Sequence, residues 1–290
     1  MIAMICLHPS IDRTLELPSP LTVGGLNRAA RVWERAGGKG VNVASVLSSL
    51  GAEVSVTLPV AGLNGHRLKK LLQKQNILSF VLSVIGETRE CQAILANGQT
   101  TEINELGPSL SKDDLVLLEE LIPERTPWVV VSGSLAPGLS VFDFGKWIKR
   151  LSVRHQVIVD TSGEALKAAL ENGAYLIKPN ESELEQLGLS PMEVFKKYGT
   201  RVLHTRGVNG LEYVGIEGAF FQASNSVKVV NPVGAGDATL AGFVFSLERN
   251  QPIKDALRFA SACGAAACLE PVAGVVNFEH LNKLLGVVNV

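Results

Sequence analysis

The sequence predicts an α/β fold with three layers, in which a central, mostly parallel β-sheet lies between two layers of helices. Short apolar runs of strand length alternate along the chain with longer stretches of helical periodicity. This alternation is typical of parallel sheets whose strands are connected by helices. The 290 residues are 46% hydrophobic and 19% charged, which favours a packed core over a disordered chain. We expect residues 1–290 to form a single domain.

The predicted elements of the main domain follow one another in a regular order. The strands are the apolar runs Ile2–Leu7, Val54–Val60, Trp128–Val131, Val157–Val159, Tyr175–Ile177 and Val202–His204. The helices are Val41–Leu50, Phe142–Leu151, Glu164–Leu170, Glu181–Leu187 and Ala238–Leu247. Ligands of such sheets bind at the carboxyl ends of the strands. Residues that follow the predicted strands are therefore the first candidates for a site.

Two regions break this alternation and predict a small antiparallel sheet that covers a cleft as a lid. Asp12–Leu17 and Arg28–Trp33 alternate in polarity, with no helix between them. Arg89–Leu95 and Thr100–Asn104 flank Asn97-Gly98, the signature of a type I′ hairpin. A lid would exclude water from a reactive group. The lid strands are expected within about residues 11–33 and 87–105.

Charge and cysteine content exclude several classes of protein. With 27 Lys and Arg against 28 Asp and Glu, the net charge is -1, so no basic surface is expected for nucleic acid or membrane. The cysteines contain no C-x-x-C pair and favour reduced thiols over disulfides or zinc. Met1–Leu7 lacks the basic region of a signal peptide. We expect a cytoplasmic protein with no nucleic-acid and no membrane partner.

Two glycine-rich segments precede predicted helices. Gly37-Gly38-Lys39-Gly40 is not a Walker A loop, and it is either an ordinary turn or a place where backbone approaches a ligand. Gly234-Ala235-Gly236-Asp237 opens an apolar helix, where unpaired N–H groups and the helix dipole favour an anion. Asp237 could accept a proton from an attacking hydroxyl, or it could merely cap its helix.

Two further segments follow predicted strands and leave similar alternatives open. Asn180 and Glu183 begin a helix three residues apart, so they could organise hydrated Mg²⁺ or form a capping box. Thr205–Gly210 could present backbone N–H groups to phosphates or form a β-turn between strands. Each segment is a weak signal alone. Because they lie at successive strand ends, one cleft would collect them, and together they indicate phosphate chemistry.

The residues resemble the ribokinase-like, or PfkB, carbohydrate kinases over nearly the whole chain. The resemblance rests on Ala36–Leu50, on Asp160-Thr161 with Lys178–Glu183, and on Asn231–Thr239. It implies the ribokinase-like fold, ATP with Mg²⁺, and a sugar phosphate as the small-molecule partner. The narrower similarity is to the 1-phosphofructokinase and tagatose-6-phosphate kinase branch, through Pro9–Thr14, Thr88-Arg89, Thr101–Pro108 and Ser132–Gly138.

The resemblance also implies roles for matched positions. Asp237 would be the catalytic base, with Gly234, Ala235 and Gly236 forming the anion hole. The sugar and its phosphate would be bound by Asp12, Arg28, Gly37, Gly38, Lys39, Asn42, Arg89 and Ser134. ATP would be bound by Lys178, Asn180, Thr205, Gly207, Gly210, Gly264 and Asn277, the last two in the adenine pocket. Asn180 and Glu183 would organise the magnesium ion through water.

The sequence departs from this branch at three places. His8 stands where Asn usually precedes Pro, Glu90-Cys91 replaces an apolar residue and Asn, and Asn231-Pro232 replaces the wider family's Asp-Thr. The expected acceptor is fructose 1-phosphate, with tagatose 6-phosphate or fructose 6-phosphate as alternatives. Less favoured hypotheses are a kinase of an unphosphorylated sugar or nucleoside, and a non-catalytic sugar-phosphate sensor. Exposed lid edges would favour a homodimer through the lid.

Overall fold

The computed structural model describes residues 1–286, so the last four residues of the predicted domain lie outside it. Its strands are β1 (Ile2–Ile5), β2 (Ser10–Glu16), β3 (Arg31–Gly37), β4 (Val54–Val60), β5 (Leu78–Ser83), β6 (Arg89–Ala96), β7 (Gln99–Asn104), β8 (Trp128–Ser132), β9 (Gln156–Asp160), β10 (Leu176–Ile177), β11 (Arg201–Thr205), β12 (Leu211–Gly215) and β13 (Gly218–Gln222). Its helices are α1 (Lys39–Ser49), α2 (Gly62–Lys74), α3 (Lys112–Glu120), α4 (Val141–Ser152), α5 (Gly163–Glu171), α6 (Glu181–Leu187), α7 (Pro191–Tyr198), α8 (Ala235–Glu248), α9 (Ile253–Ala267) and α10 (Phe278–Leu285).

The central sheet confirms the predicted fold class. Its nine strands lie in the order β13-β12-β11-β10-β9-β8-β1-β4-β5. The strands from β11 to β5 pair in parallel, and β12 and β13 add an antiparallel edge. β1 lies between β4 and β8 and has no solvent-exposed surface. A strand covered on both faces reads as a continuous apolar run, which is why it could be predicted.

Two hydrophobic cores lie on opposite faces of this sheet. Ile2 and Met4 belong to the core under α1, α2, α8, α9 and α10. Ala3 and Ile5 belong to the core under α3, α4, α5, α6 and α7. Because successive side chains of a strand point to opposite faces, β1 contributes to both cores. The helices do not cover the carboxyl ends of the parallel strands. The small sheet lies next to these strand ends.

The small sheet has the order β3-β2-β6-β7. The two outer pairs are antiparallel, as predicted, whereas the central pair β2–β6 is parallel. The hairpin between β6 and β7 turns through Asn97 and Gly98, with φ of 49° and 71°. Positive φ at both central residues is what a type I′ turn requires, so the predicted hairpin is confirmed.

The predicted strand Arg28–Trp33 needs a correction, since β3 begins at Arg31. The side chain of Asn27 closes a tight loop before it: its Oδ1 accepts from the Thr22 N–H at 2.9 Å, and its Nδ2 donates to the Thr22 carbonyl at 2.8 Å. This side-chain hydrogen bonding competes with strand pairing. Within residues 1–286, no helix is long and apolar enough to cross a membrane.

Candidate active site

A cleft of about 470 Å³ lies between the carboxyl ends of the parallel strands and the small sheet. This is the size of a small-molecule site and the place where α/β sheets bind ligands. The loops after β1, β8, β9, β10 and β11 reach it, as do the first turns of α1 and α8. The predicted site residues that line it are Asp12, Gly38, Lys39, Asn42, Arg89, Ser134, Lys178, Asn180, Glu183, Thr205, Gly234, Gly236 and Asp237.

Asp237 lies in the first turn of α8 and is only 5% exposed. Its Oδ2 accepts a hydrogen bond from Asn42 Nδ2 at 3.0 Å. Burial, and then the nearby negative charge of Asp160, raise the pKa of Asp237 to about 6, although Lys39 and the Asn42 bond act in the opposite direction. A carboxylate with a raised pKa at the floor of a cleft has the properties of a general base.

A second buried carboxylate, Asp160 at the end of β9, organises the cations of the cleft. Lys178 Nζ lies 3.2 Å and Lys39 Nζ 3.8 Å from its Oδ1, and Ser132 Oγ donates to its Oδ2 at 3.2 Å. Burial alone would raise the pKa of Asp160, but the two lysines outweigh burial and lower it. In turn Asp160 raises the pKa of Lys39. Lys39 therefore stays charged beside Asp237.

The turn before α8 provides unpaired backbone donors. Gly234 has φ of 82°, and a Cβ there would lie 2.8 Å from the Ala273 Cβ. Glycine therefore lets the turn before α8 pack closely against the segment that contains Ala273. Among the described residues, no acceptor pairs with the N–H groups of Gly236 and Asp237. These two donors and the helix dipole suit an anion. Ala235 differs from the prediction, because its N–H donates to the Pro232 carbonyl at 3.3 Å.

One end of the cleft is built around Arg89, at the start of β6. Its guanidinium donates to the carbonyls of His8 at 2.8 Å, Pro9 at 3.4 Å and Glu105 at 3.5 Å. These bonds fix the plane of the group and leave one N–H on each terminal nitrogen for a ligand. Ser134 is exposed to the same end of the cleft and bonds to the ring of His8.

Asp12 on β2 lines the cleft near Arg89, and its position depends on Gly37. A Cβ at Gly37 would lie 1.9 Å from the Asp12 Cγ, so any other residue there would displace the carboxylate. Ser10 Oγ donates to Asp12 Oδ1 at 2.5 Å. Burial raises the pKa of Asp12, against the effect of the Ser10 bond. Gly37 is not among the residues that line the cleft, so its contact with the sugar stays a prediction, whereas its support of Asp12 follows from the geometry.

Asn180 and Glu183 form the capping box that was one of the two alternatives. The Asn180 side chain accepts from the Glu183 N–H at 2.9 Å, and Glu183 Oε2 accepts from the Asn180 N–H at 2.8 Å. The second oxygen of Glu183 has no partner among the described residues, and both side chains line the cleft. Within residues 1–286, no group of three acidic, His or Cys side chains could hold a metal directly. The residues fit a hydrated Mg²⁺ held through its waters.

Several predicted binding residues lie outside the cleft, each for a local reason. Arg28 lies in the loop before β3 and lines a separate surface groove. Gly207 is exposed in a 3₁₀ turn, and at Gly210 a Cβ would lie 2.2 Å from the Gln222 carbonyl. Asn277 caps α10 by accepting from the Glu279 N–H at 2.8 Å. These residues serve the loops and helix ends in which they stand.

Gly264 also lies outside the cleft, in the interface between α8 and α9. It is buried, and a Cβ there would lie 2.2 Å from Thr239 Oγ1. Two helices can approach this closely only where one presents no side chain. Helix packing therefore explains why this residue is glycine, and the contact with adenine stays a prediction.

Sequence reasoning gave no role to Asp160 or His8. Asp160 follows a predicted strand and stands next to Thr161, which lines the cleft, so its place at a strand end was an available signal. His8 also lines the cleft, and its ring joins two loops. In the sequence His8 stood out only because it replaces the usual Asn. Its hydrogen-bond partners lie in loops that are distant in sequence, so they gave no local signal.

Comparison with known proteins gives the family and the fold of the chain. Residues 8–277 match the pfkB family of carbohydrate kinases. Escherichia coli phosphofructokinase-2 in complex with fructose-6-phosphate superposes with a TM-score of 0.89 at 26% identity, covering 98% of each chain. A possible 1-phosphofructokinase from Thermotoga maritima gives 0.85 at 24%, covering 99% of this chain and 97% of the other. Thermotoga maritima ribokinase gives 0.75 at 20%, covering 99% of each.

The last two similarities lie below 25% identity and show the fold alone, which is ribokinase-like as predicted. The family match is broader, since it spans both the small sheet and the first turns of α1 and α8 that line the cleft. Because this match covers more than half of the chain, the chain belongs to the pfkB family of carbohydrate kinases.

Proposed function

We propose that this protein transfers the terminal phosphoryl group of ATP to a hydroxyl of a ketohexose phosphate, with fructose 1-phosphate as acceptor and fructose 1,6-bisphosphate as product. One observation carries the proposal: the buried carboxylate of Asp237 and the unpaired N–H groups beside it share a cleft with Arg89. To be phosphorylated, a phosphosugar needs a cation that binds its phosphate and a base that accepts the proton of its reactive hydroxyl. This cleft offers both.

In this mechanism Asp237 accepts the proton of the attacking hydroxyl. Its pKa of about 6 leaves it ionised at neutral pH and makes it more basic than an ordinary aspartate. The N–H groups of Gly236 and Asp237 donate to the migrating phosphoryl group, whose charge is spread over its oxygens. Lys39 and Lys178 add positive potential on the same side, held in place by Asp160.

The residues proposed to bind ATP lie after the end of β10 and at the end of β11. Thr205 lines the cleft there with Lys178, Asn180 and Glu183. Magnesium would be held through water by Asn180 and Glu183, and when bound it neutralises charge between the phosphates. The capping box fixes both side chains at the start of α6, so the carboxylate of Glu183 faces the cleft without further ordering.

The sugar phosphate is proposed to bind between Asp12 and Arg89, with its phosphate at Arg89 and its reactive hydroxyl at Asp237. Arginine suits a phosphate because its planar donors match two oxygens. A furanose ketohexose carries CH₂–O groups at both ends of a nearly symmetric ring. Fructose 6-phosphate is therefore a second candidate, supported by the similarity to the Escherichia coli enzyme bound to it. Tagatose 6-phosphate fits the same argument.

The test is an ADP-release assay across free sugars, nucleosides and phosphosugars. We expect turnover with a ketohexose phosphate and little with free fructose, ribose or adenosine. Asp237→Asn should lower kcat by about 10²- to 10⁴-fold, the usual contribution of a general base, while sugar-phosphate binding persists. Asp255→Asn is the matched control, because Asp255 also lies in the first turn of a helix but is exposed. Equal turnover in the two variants would remove Asp237 from the mechanism.

A homodimer through the lid remains part of the proposal. Val32 on β3 is 50% exposed and Ile103 on β7 is 55% exposed, and β3 and β7 are the two edges of the small sheet. Exposed apolar side chains on open edges favour pairing. Sedimentation velocity of the wild type and of Ile103→Glu tests it, with dissociation expected only in the variant.

A further inference from the structure

The ring of His8 joins two loops at the Arg89 end of the cleft. Its Nδ1 lies 3.0 Å from Ser134 Oγ, and its Nε2 lies 2.6 Å from the carbonyl oxygen of Leu106. The side chain lines the cleft yet is only 8% exposed. The backbone carbonyl oxygen of His8 accepts a hydrogen bond from the guanidinium of Arg89. His8 thus contacts both side chains that are proposed to meet the phosphate of the sugar.

These contacts fix the direction of each hydrogen bond. The carbonyl oxygen of Leu106 can only accept, so Nε2 carries the proton of the neutral ring. Nδ1 must then be the acceptor, and the hydroxyl proton of Ser134 points to it. In this state Ser134 offers only lone pairs to the cleft, which repel phosphate oxygens. If Nδ1 gains a proton, the ring donates to Ser134, and the hydroxyl proton of Ser134 is released towards the cleft.

The charges around the ring favour its neutral form until an anion arrives. Burial, followed by the positive charge of Arg89 on β6, lowers the pKa of His8. The other ionisable groups nearby do not offset this. Burial raises the pKa of Cys6, which follows β1, to about 11 and keeps it neutral. Lys39 on α1 pairs with Asp160, and the Glu105 carboxylate accepts from the Glu90 N–H. A phosphate dianion bound to Arg89 would reverse the balance, because an adjacent negative charge favours the protonated ring.

We propose that His8 takes up a proton from solvent when the phosphate of the acceptor binds, and that the hydroxyl of Ser134 then donates to that phosphate. No covalent bond changes, and the proton returns to solvent when the product leaves. His8 is a positioning residue in this account, acting on the phosphate through Ser134. The inference rests on the proposed function, since it needs an acceptor that carries a phosphate group.

The test is the KM for the phosphosugar between pH 7 and pH 9 at saturating ATP, using fructose 1-phosphate or fructose 6-phosphate, whichever turns over. A phosphate monoester is already a dianion in this range, because its second pKa is about 6. For the wild type we expect KM to rise with pH by about tenfold in all, with a slope of at most about tenfold per pH unit, and then to level off. His8→Gln cannot gain a proton, so its KM should be independent of pH and close to the high-pH value of the wild type.

Two further variants make the result specific. His8→Asn is a second variant for the case that His8→Gln folds poorly, and its KM should likewise be independent of pH. Ser134→Ala should raise the KM at pH 7 by about tenfold, the loss of one hydrogen bond to a charged group, and leave little further rise with pH. A wild-type KM that does not change with pH, or parallel profiles in wild type and His8→Gln, would overturn the inference. Absence of turnover with every phosphosugar would instead overturn the proposed function.

Discussion

Replacing Asn42 by Leu should move the acid limb of the pH–rate profile to higher pH. Asn42 donates to Asp237 at 3.0 Å and both side chains are buried. A hydrogen bond to the ionised form lowers the pKa of a carboxylate, so its loss raises the pKa. Leucine has a similar volume and cannot donate, and it also keeps water out of the vacated space.

The size of the effect follows from the bond. A hydrogen bond to a buried charged group contributes about 1.5–3 kcal/mol, which corresponds to about one to two pH units. The wild-type limb is centred at the pKa of Asp237, about 6. From these figures, kcat/KM at pH 6.5 should fall roughly three- to twenty-five-fold through base protonation alone. At pH 9 the base is ionised in both proteins, so only the loss of any contact between Asn42 and the sugar would remain.

The assay is kcat/KM for the phosphosugar from pH 5 to pH 9, by coupled ADP release, divided by the fraction of phosphosugar that is a dianion, because its second pKa of about 6 lies in this range. Asn104→Leu is the control, because Asn104 lines the same cleft from β7 and makes no bond to Asp237. Its limb should coincide with that of the wild type. A wild-type limb centred near pH 4, or an Asn42→Leu limb that does not move, would refute the assignment of Asp237 as a base with a raised pKa.

Three further predictions follow from single contacts. Gly37→Ala should raise the KM for the phosphosugar at least tenfold by displacing Asp12, with thermal stability measured alongside; an unchanged KM would contradict the supporting role. Gly264→Ala should lower the free energy of unfolding by about 1–3 kcal/mol in urea titrations, and Thr239→Ala should recover part of the loss. Glu183→Gln should raise the magnesium concentration for half-maximal rate, and equal magnesium requirements would exclude Glu183 as its binding group.

Local patterns explain which elements could be predicted. Val54–Val60 and Glu181–Leu187 have the predicted bounds, because one is buried on both faces and the other has Asn180 and Glu183 as caps. The strand β5 was missed, since its residues are partly exposed and its apolar run is only the three residues Phe80–Leu82. The parallel pairing of β2 with β6 was also missed. Pairing between strands so distant in sequence leaves no local signal.

The residues of the candidate site also differ in whether the sequence could predict them. Asp237 and the glycines before it could be found because a helix start and its donors are adjacent in sequence. Gly264 could not be separated from a ligand-binding glycine, because its reason for being glycine is Thr239 on a different helix. His8 is the clearest case. Its importance depends on Leu106 and Ser134, 98 and 126 residues away, which only the folded structure brings together.

The charges of the cleft account for how a base with a raised pKa can lie beside two lysines. Lysines near a carboxylate lower its pKa, and Lys39 and Lys178 alone would make Asp237 a weaker base. Burial raises the pKa of Asp237 most, and Asp160, which pairs with both lysines, raises it further. The buried negative charge of Asp160 therefore holds both lysines in place to bind phosphate, and it offsets their lowering effect on the pKa of Asp237. Asp160→Asn should consequently move the acid limb to lower pH, in the direction opposite to Asn42→Leu.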